Sequence, residues 1–363
     1  LGNLTAMANL DYAKDYDSSV MVSIKNGGGI RASIGETVVP AGATAPIRLP
    51  NGELVDGEGN VIKPAGAISQ NDIASALAFN NGLSLVTMSP AELLQVLEHA
   101  AASAGGGAFG QFAGISFSFD PDLPAGERVT QADIVDENGA SVLALVRNGD
   151  LVADPDLAIR TVTLNFLIPN GDGYPFDLAN PDRVDLFDLD NDGTSDGLRD
   201  GVADFADNGT EQDAFAEYLA ANHGTAQTAY AEADTGRDQD LAITNLGFTS
   251  QDVRLDAAGN ADWSQITRTF DGNGTLRERV IDGDDGTITT LRYAVDGTKL
   301  TVTTADAADL TPRATSTDVF DAEGNLSRRE VLLDDGRTKT AIFEGGERIG
   351  QLIEDADGSS IAR

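Results

Sequence analysis

Cysteine is absent from the sequence, so neither disulfides nor thiolate metal sites hold this protein together. Histidine is nearly absent: His99 and His223 stand apart, in no His-x-x-x-His or Asp-x-His spacing. No Walker loop occurs either. On its own the chain carries no evident bond-breaking machinery and is expected to be inactive as an enzyme. No apolar run reaches the roughly 20 residues that span a bilayer, and no signal peptide is visible. Positive charge is scarce too. Against 59 acidic residues stand 24 basic ones, of which only Lys14, Lys25, Lys63, Lys299 and Lys339 are lysines, and the net charge is −35. Such a field repels nucleic-acid backbones and anionic membranes, so neither a nucleic-acid polymer nor a membrane is an expected partner. It suits a soluble secreted or extracellular protein, with the periplasm as the alternative compartment.

An apolar share of 41 % is enough for real cores, and 363 residues suggest two or three units. The chain starts at Leu1-Gly2-Asn3-Leu4 as if inside a helix, which gives it the look of a fragment. Leu4–Leu10 reads as helical and Val20–Ile24 as a buried strand. Residues 37–68, with Pro40, Pro46, Pro50 and Pro64, read as a loop or hairpin excursion. Ser89 as N-cap, Pro90 in the first turn and Glu92 closing a capping box open a clear helix, which Gly105–Gly107 end. The alternation Ile115-Ser116-Phe117-Ser118-Phe119 predicts a half-buried strand, and strands are also expected over Val142–Val146 and Ile159–Leu167. A helix is expected near Asp213–Asn222, and a linker over 225–240. From about Leu241 the chain becomes β-rich and repetitive. Phe270-Asp271-x-x-Gly274-x-Leu276-x-x-Arg279 recurs as Phe320-Asp321-x-x-Gly324-x-Leu326-x-x-Arg329, and Asp284-Asp285-Gly286 as Asp334-Asp335-Gly336. Two motifs sharing one offset indicate an internal duplication, read here as successive β-hairpins of a spacer or adhesion-like module.

Three segments carry binding chemistry. Asn26-Gly27-Gly28-Gly29-Ile30-Arg31 ends an apolar strand. Its glycines free the backbone to take positive φ and to approach a ligand closely, and Arg31 adds a planar cation. Phe79-Asn80-Asn81-Gly82 and Phe166-Leu167-Ile168-Pro169-Asn170-Gly171-Asp172-Gly173-Tyr174 follow. A nucleotide needs an aromatic surface, partners for its hydroxyls, and cations or N–H groups for phosphate. Phe79 and Phe166 are either stacking faces or core residues, Asp172 accepts from hydroxyls, and Asn26, Asn81 and Arg31 offer donors. His99 reads as a packed helix residue, and His223 as a cation near a helix C-terminus.

In this order the segments resemble the C-terminal, nucleotide-recognising domain of the 5′-nucleotidase family. Leu1–Leu4, Ser89–His99, Phe112–Asp120 and Pro124–Val129 resemble further parts of it, so the likeness covers about 1–175 and, more weakly, 211–250. The resemblance implies that Phe79 and Phe166 sandwich a base, that Asp172 binds ribose, and that Arg31 and Asn26 hold ribose and phosphate. Gly28 belongs to the first motif and Asn81 to the second. It also implies an upstream metallophosphatase domain of the same polypeptide, holding two divalent metal ions that hydrolyse nucleotide phosphoesters. Ala78 and Asn80 depart from the usual Pro and Gly beside the first phenylalanine, and Ile168-Pro169-Asn170 replaces a smaller stretch. The expected fold is therefore α+β over residues 1–250, with an insertion near 177–210, followed by a β-rich hairpin-repeat module over 251–363. The expected role is the substrate-recognition part of a secreted 5′-nucleotidase-like phosphohydrolase, binding a nucleoside or nucleotide. The alternative is a non-catalytic, calcium-dependent extracellular binding or structural protein.

The insertion is independent of that resemblance. Asp188, Asp190, Asp192, Thr194 and Asp196 fall at positions 1, 3, 5, 7 and 9 of a calcium loop, with Gly193 at the sharp turn. Position 12 is Arg199, so the bidentate glutamate is missing and Asp200 is the nearest substitute. A structural Ca²⁺ is the expected cofactor.

Overall fold

The computed structural model describes the chain except residues 178, 231–241, 250, 256–260, 284–285, 295–298, 307, 309–311, 321–325, 334–335, 345–346, 355–359 and 363. It divides into two units, Leu1–Phe117 with Ala132–Ile243, and Ser118–Gln131 with Thr244–Arg363.

The main sheet of the first unit runs, in spatial order, Val184–Asp185, Leu83–Met88, Ile159–Leu164, Val20–Asn26, Gly110–Ala113. Val20–Asn26 and Ile159–Leu164 are parallel and the other neighbours antiparallel, a mixed sheet in keeping with the α+β expectation. Val20, Val22 and Ile24 are buried, and so are Ser23 and Lys25 on the alternate positions, as befits a strand covered on both faces. Helix α1 (Gly2–Tyr16) extends beyond the expected Leu4–Leu10 because its inward face continues through Ala13. Its Leu4 and Ala8 pack with Ile73 of α2 (Gln70–Ala76), with Leu77 and with Phe215 of α4 (Glu211–His223). Helix α3 (Pro90–Ala102) opens on the expected box: Ser89 Oγ accepts from the Glu92 N–H, and the Glu92 carboxylate accepts from the Ser89 N–H at 2.7 Å. It ends at Ser103, before the glycines. The excursion forms two small hairpins, Glu36–Val38 with Ile47–Leu49 and Leu54–Val55 with Val61–Lys63.

The strand Ile115–Phe119 departs from its expected half-burial. Ser116 and Ser118 are buried along with the apolar positions. Serine on alternate positions here marks a second buried face rather than a face in water.

In the second unit ten strands, from Gln251–Leu255 to Ser360–Ala362, follow one another in chain order, each antiparallel to the next. The duplication is visible in register. Phe270 pairs with Leu276 just after a slip, and fifty residues on Phe320 pairs with Leu326 after the same slip. Gly286 and Gly336 both take left-handed φ, 76° and 80°. Asp284, Asp285, Asp321, Gly324, Asp334 and Asp335 of the motifs lie outside the described residues. Arg279 of the first repeat is 1 % exposed, its Nε 3.6 Å from Asp120 and its Nη2 3.4 Å from Asp252. Arg268 completes this buried network by donating to Asp120 at 2.7 Å. Among the described residues, no helix is long and apolar enough to cross a membrane.

Candidate functional site

Strand order explains why segments far apart in sequence meet. Because Val20–Asn26 and Ile159–Leu164 are parallel, with Ile24 opposite Thr163, both chains leave the sheet at the same edge. Leu83 pairs with Leu164 in the antiparallel sense, so the chain enters Leu83–Met88 from that edge, directly after Phe79-Asn80-Asn81-Gly82. Gly110 pairs with Asn26, which brings the loop before it, Gly105–Phe109, there as well.

At this edge Gly27–Gly29 form a single 3₁₀ turn. None of the three takes a positive φ, contrary to the expectation from their lack of Cβ. They are needed for close approach instead. The Gly27 and Gly28 N–H groups donate to Phe109 O and Gly107 O, both at 2.7 Å, and a Cβ on Gly28 would sit 3.0 Å from Gly107 O. What approaches so closely is the protein's own backbone. Positive φ is found in the third segment, at Asn170 (64°), Asp172 (52°) and Gly173 (78°). Left-handed non-glycine residues cost energy and persist where the surroundings over-determine them.

Asn26 is 4 % exposed and donates from Nδ2 to Asp172 Oδ2 at 2.6 Å, joining the first and third segments. Arg31 is exposed; its Nη1 donates to Gly28 O at 3.2 Å, and its guanidinium lies 5.7 Å from the Phe79 ring centre. Arg31 and Phe79 thus meet as a cation–π pair. Phe79 is 63 % exposed and Phe166 43 %, although Leu77, Leu167 and Ile168 beside them are fully buried. Neither ring is a core residue. Asn81 gives both its backbone N–H and its Nδ2 to Glu211 Oε1, at 3.1 and 3.0 Å. The amide donors of Asn26 and Asn81, expected to serve a ligand, are therefore engaged with carboxylates.

Four residues have a part here that the sequence did not assign them. His99 donates from Nε2 to Asp172 O at 2.9 Å and packs edge-on to Tyr174, with ring centres 4.7 Å apart. The Tyr174 phenol donates to Ala108 O at 2.9 Å; burial, then the Asp172 charge, push its pKa up and keep it protonated. Lys25 and Glu211 form a 2.7 Å ion pair with both side chains 0 % exposed. A lysine inside an apolar strand was the available signal for that pair, since a buried ammonium requires a partner. No comparable signal marks His99. At the C-terminus of α4, His223 donates from Nδ1 to Thr228 O at 2.8 Å.

The acidic loop is ordered by its own carboxylates. Asp188, nearly buried, accepts from the N–H groups of Asp192 and Gly193 at 3.0 and 2.8 Å, and Asp196 accepts from Leu189 N–H at 3.1 Å. Carboxylate oxygens of Asp188, Asp190 and Asp196 lie within 4.8 Å of one another. Asp192 instead accepts from the Thr194 hydroxyl and N–H, at 2.6 and 2.9 Å, and these bonds hold its pKa down. Asp190 moves up: the Asp192 N–H it accepts from lowers it, but the Asp192 and Asp196 charges and desolvation outweigh that bond. Arg199 pairs with Asp207.

Residues 1–177 match the model of the 5′-nucleotidase C-terminal domain. A 176-residue stretch is 28 % identical to the trifunctional nucleotide phosphoesterase protein YfkN of Bacillus subtilis, covering 48 % of this chain and 9 % of that protein. Among solved structures, a 5′-nucleotidase precursor from Thermus thermophilus is similar at 22 % identity and TM-score 0.42, over 68 % of this chain and 35 % of that one. The NAD nucleotidase of Haemophilus influenzae is similar at 17 % identity and TM-score 0.39, over 67 % and 33 %. The chain thus spans less than two thirds of the length of each of these relatives. Residues 1–177 belong to the 5′-nucleotidase C-terminal domain family.

Proposed function

We propose that the first unit recognises a nucleoside or nucleotide, with the base stacked by Phe79 and Phe166. Asp172 receives ribose hydroxyls, and Arg31 and Asn26 lie beside ribose and phosphate, with Gly28 and Asn81 in the flanking turns. The observation that carries the reading is the pair of exposed phenylalanines, each next to fully buried neighbours, on segments that strand order delivers to one sheet edge. A large exposed ring on an ordered loop offers a face on which a base can stack. The hydrolysis itself belongs to an upstream metallophosphatase domain of the same polypeptide, where two divalent ions would activate water and stabilise charge on phosphate. This chain supplies binding and orientation. The protein is secreted, in keeping with its charge of −35.

Calcium belongs to the same reading. The donor set of Asp188, Asp190 and Asp196 is three hard oxygens in a loop, the ligand chemistry of Ca²⁺. Asp192 holds the Thr194 hydroxyl and N–H on Oδ1, so Asp192 Oδ2 and the Thr194 carbonyl are the oxygens these two residues would add to the set. Titration calorimetry with adenosine and AMP tests the recognition claim. Phe79→Ala and Phe166→Ala should each weaken binding by about 1–3 kcal/mol. Affinities unchanged in both variants would remove the stacking claim.

A further inference from the structure

The first turn of α4 grips the segment that carries Phe79 and Asn81. Leu83 N–H donates to Gly209 O at 2.8 Å and Glu211 N–H to Asn81 O at 2.9 Å. Gln212 N–H donates to Asn80 Oδ1 at 3.2 Å, and its side-chain amide to Leu77 O at 2.8 Å. Asn80 sits at φ 45°, a left-handed conformation that this clamp helps to hold. The grip closes on Glu211. One oxygen takes both amide donors of Asn81, and the other takes Lys25, the residue before Asn26. A single buried carboxylate therefore fastens two of the three motif segments, from a helix that lies beyond the family-matched residues 1–177.

A dry ion pair is a poor device for stability alone. Desolvating both charges offsets much of their attraction, and a well-packed apolar pair often serves as well. What an apolar pair lacks is an acceptor for Asn81. We infer that Glu211 is a positioning residue of the nucleoside site: it fixes the Asn81 side chain with the amide nitrogen bound, leaving Oδ1 as the atom for a ligand's hydroxyl or amine donor. Lys25 balances the charge that this acceptor brings. The inference rests on the recognition role proposed above.

Two double variants separate positioning from packing. Lys25→Met/Glu211→Leu replaces the pair by apolar side chains, whereas Lys25→Met/Glu211→Gln keeps a neutral oxygen for Asn81. Both should melt cooperatively at similar temperatures. The Gln form should bind adenosine within about threefold of wild type, and the Leu form about tenfold more weakly, the loss of roughly one hydrogen bond. In ¹⁵N spectra the Asn81 side-chain amide, identified by its loss in Asn81→Asp, should be shifted and protected in wild type and the Gln form. In the Leu form it should be coil-like. A folded Leu form with wild-type affinity, or with the Asn81 signature intact, overturns the inference. Should the Leu form not fold, the wild-type spectrum decides: a coil-like Asn81 side-chain amide in the folded protein refutes the role. Wild type that fails to bind adenosine would refute the recognition reading, while the Asn81 signature still decides what Glu211 does.

Discussion

Asp213, in the first turn of α4, should make the first unit less stable as pH rises. Burial is the main cause that lifts its pKa from 3.8 to about 6; bonds from Tyr12 and Gly209 pull the other way, and the Glu217 charge adds to the rise. Below about pH 4 the carboxyl is protonated both folded and unfolded and costs nothing. Between 4 and 6 the unfolded chain releases its proton while the folded one holds it. Above 6 the folded protein carries a desolvated charge, so stability present at low pH is lost as pH passes through the folded value. The gap corresponds to at most about 3 kcal/mol, and solvent screening close to the surface reduces it to about 1–2 kcal/mol. Asp213→Asn keeps an oxygen for the Gly209 N–H, which bonds Asp213 at 3.0 Å, and removes the charge. At pH 8 the variant should melt roughly 2–8 °C above wild type. By pH 4 the advantage should vanish. Melting curves from pH 4 to 8 measure this, and an offset independent of pH, or a variant less stable at pH 8, refutes it.

Three further outcomes are expected. His99→Ala should loosen the Asp172 turn and weaken adenosine binding severalfold, whereas His99→Gln, which still donates, should recover part of it; calorimetry on both variants decides, and equal loss would exclude the Asp172 carbonyl bond as the cause. Ca²⁺ should raise the melting temperature, by an amount set by RT ln(1 + [L]/Kd), about 2.7 kcal/mol at a hundredfold excess over Kd. Asp190→Ala should remove that response while leaving adenosine binding in place, and identical wild-type midpoints in Ca²⁺ and chelator would leave only a solvated acidic loop. The purified chain should release no phosphate from AMP with added Zn²⁺ or Mn²⁺, and turnover that survives repurification would overturn the assignment of catalysis to an upstream domain.

The sequence made local elements legible wherever a side chain dictates its own backbone. The Ser89–Glu92 box, the helix near Phe215 and the Asp271–Gly274 turn depend on neighbours a few residues away, and so survive without knowledge of the fold. Burial was legible less often. Ile115–Phe119 alternates apolar and small polar residues, a pattern that fits water on one face and burial of both faces equally well, and the second holds. Phe79 and Phe166 are ambiguous for the opposite reason, since phenylalanine is normally interior and here each ring is turned out beside buried neighbours. The glycine turn was identified as a place of close approach, but the approaching group, the Gly107 backbone, is fixed by the pairing of Gly110 with Asn26.

Pairings of that kind carry the part no local pattern holds. The acidic loop is fastened at both ends to one strand start: Leu186 N–H donates to Leu83 O at 2.8 Å, and Leu83 N–H to Gly209 O at the same distance. Residues 187–208 thus leave and return at Leu83, two residues from Asn81. The length of such a loop adds little closure cost once its ends are pinned, because that cost grows only logarithmically with length. An insertion there can carry a dense row of aspartates without disturbing the sheet edge, provided Glu211 arrives on the far side to meet Asn81 and Lys25. Lys25, Asn81 and Glu211 lie far apart in sequence and have meaning only together: a lysine in an apolar strand, an amide beside an exposed ring, and an acid opening a helix become one buried junction when the strand order closes.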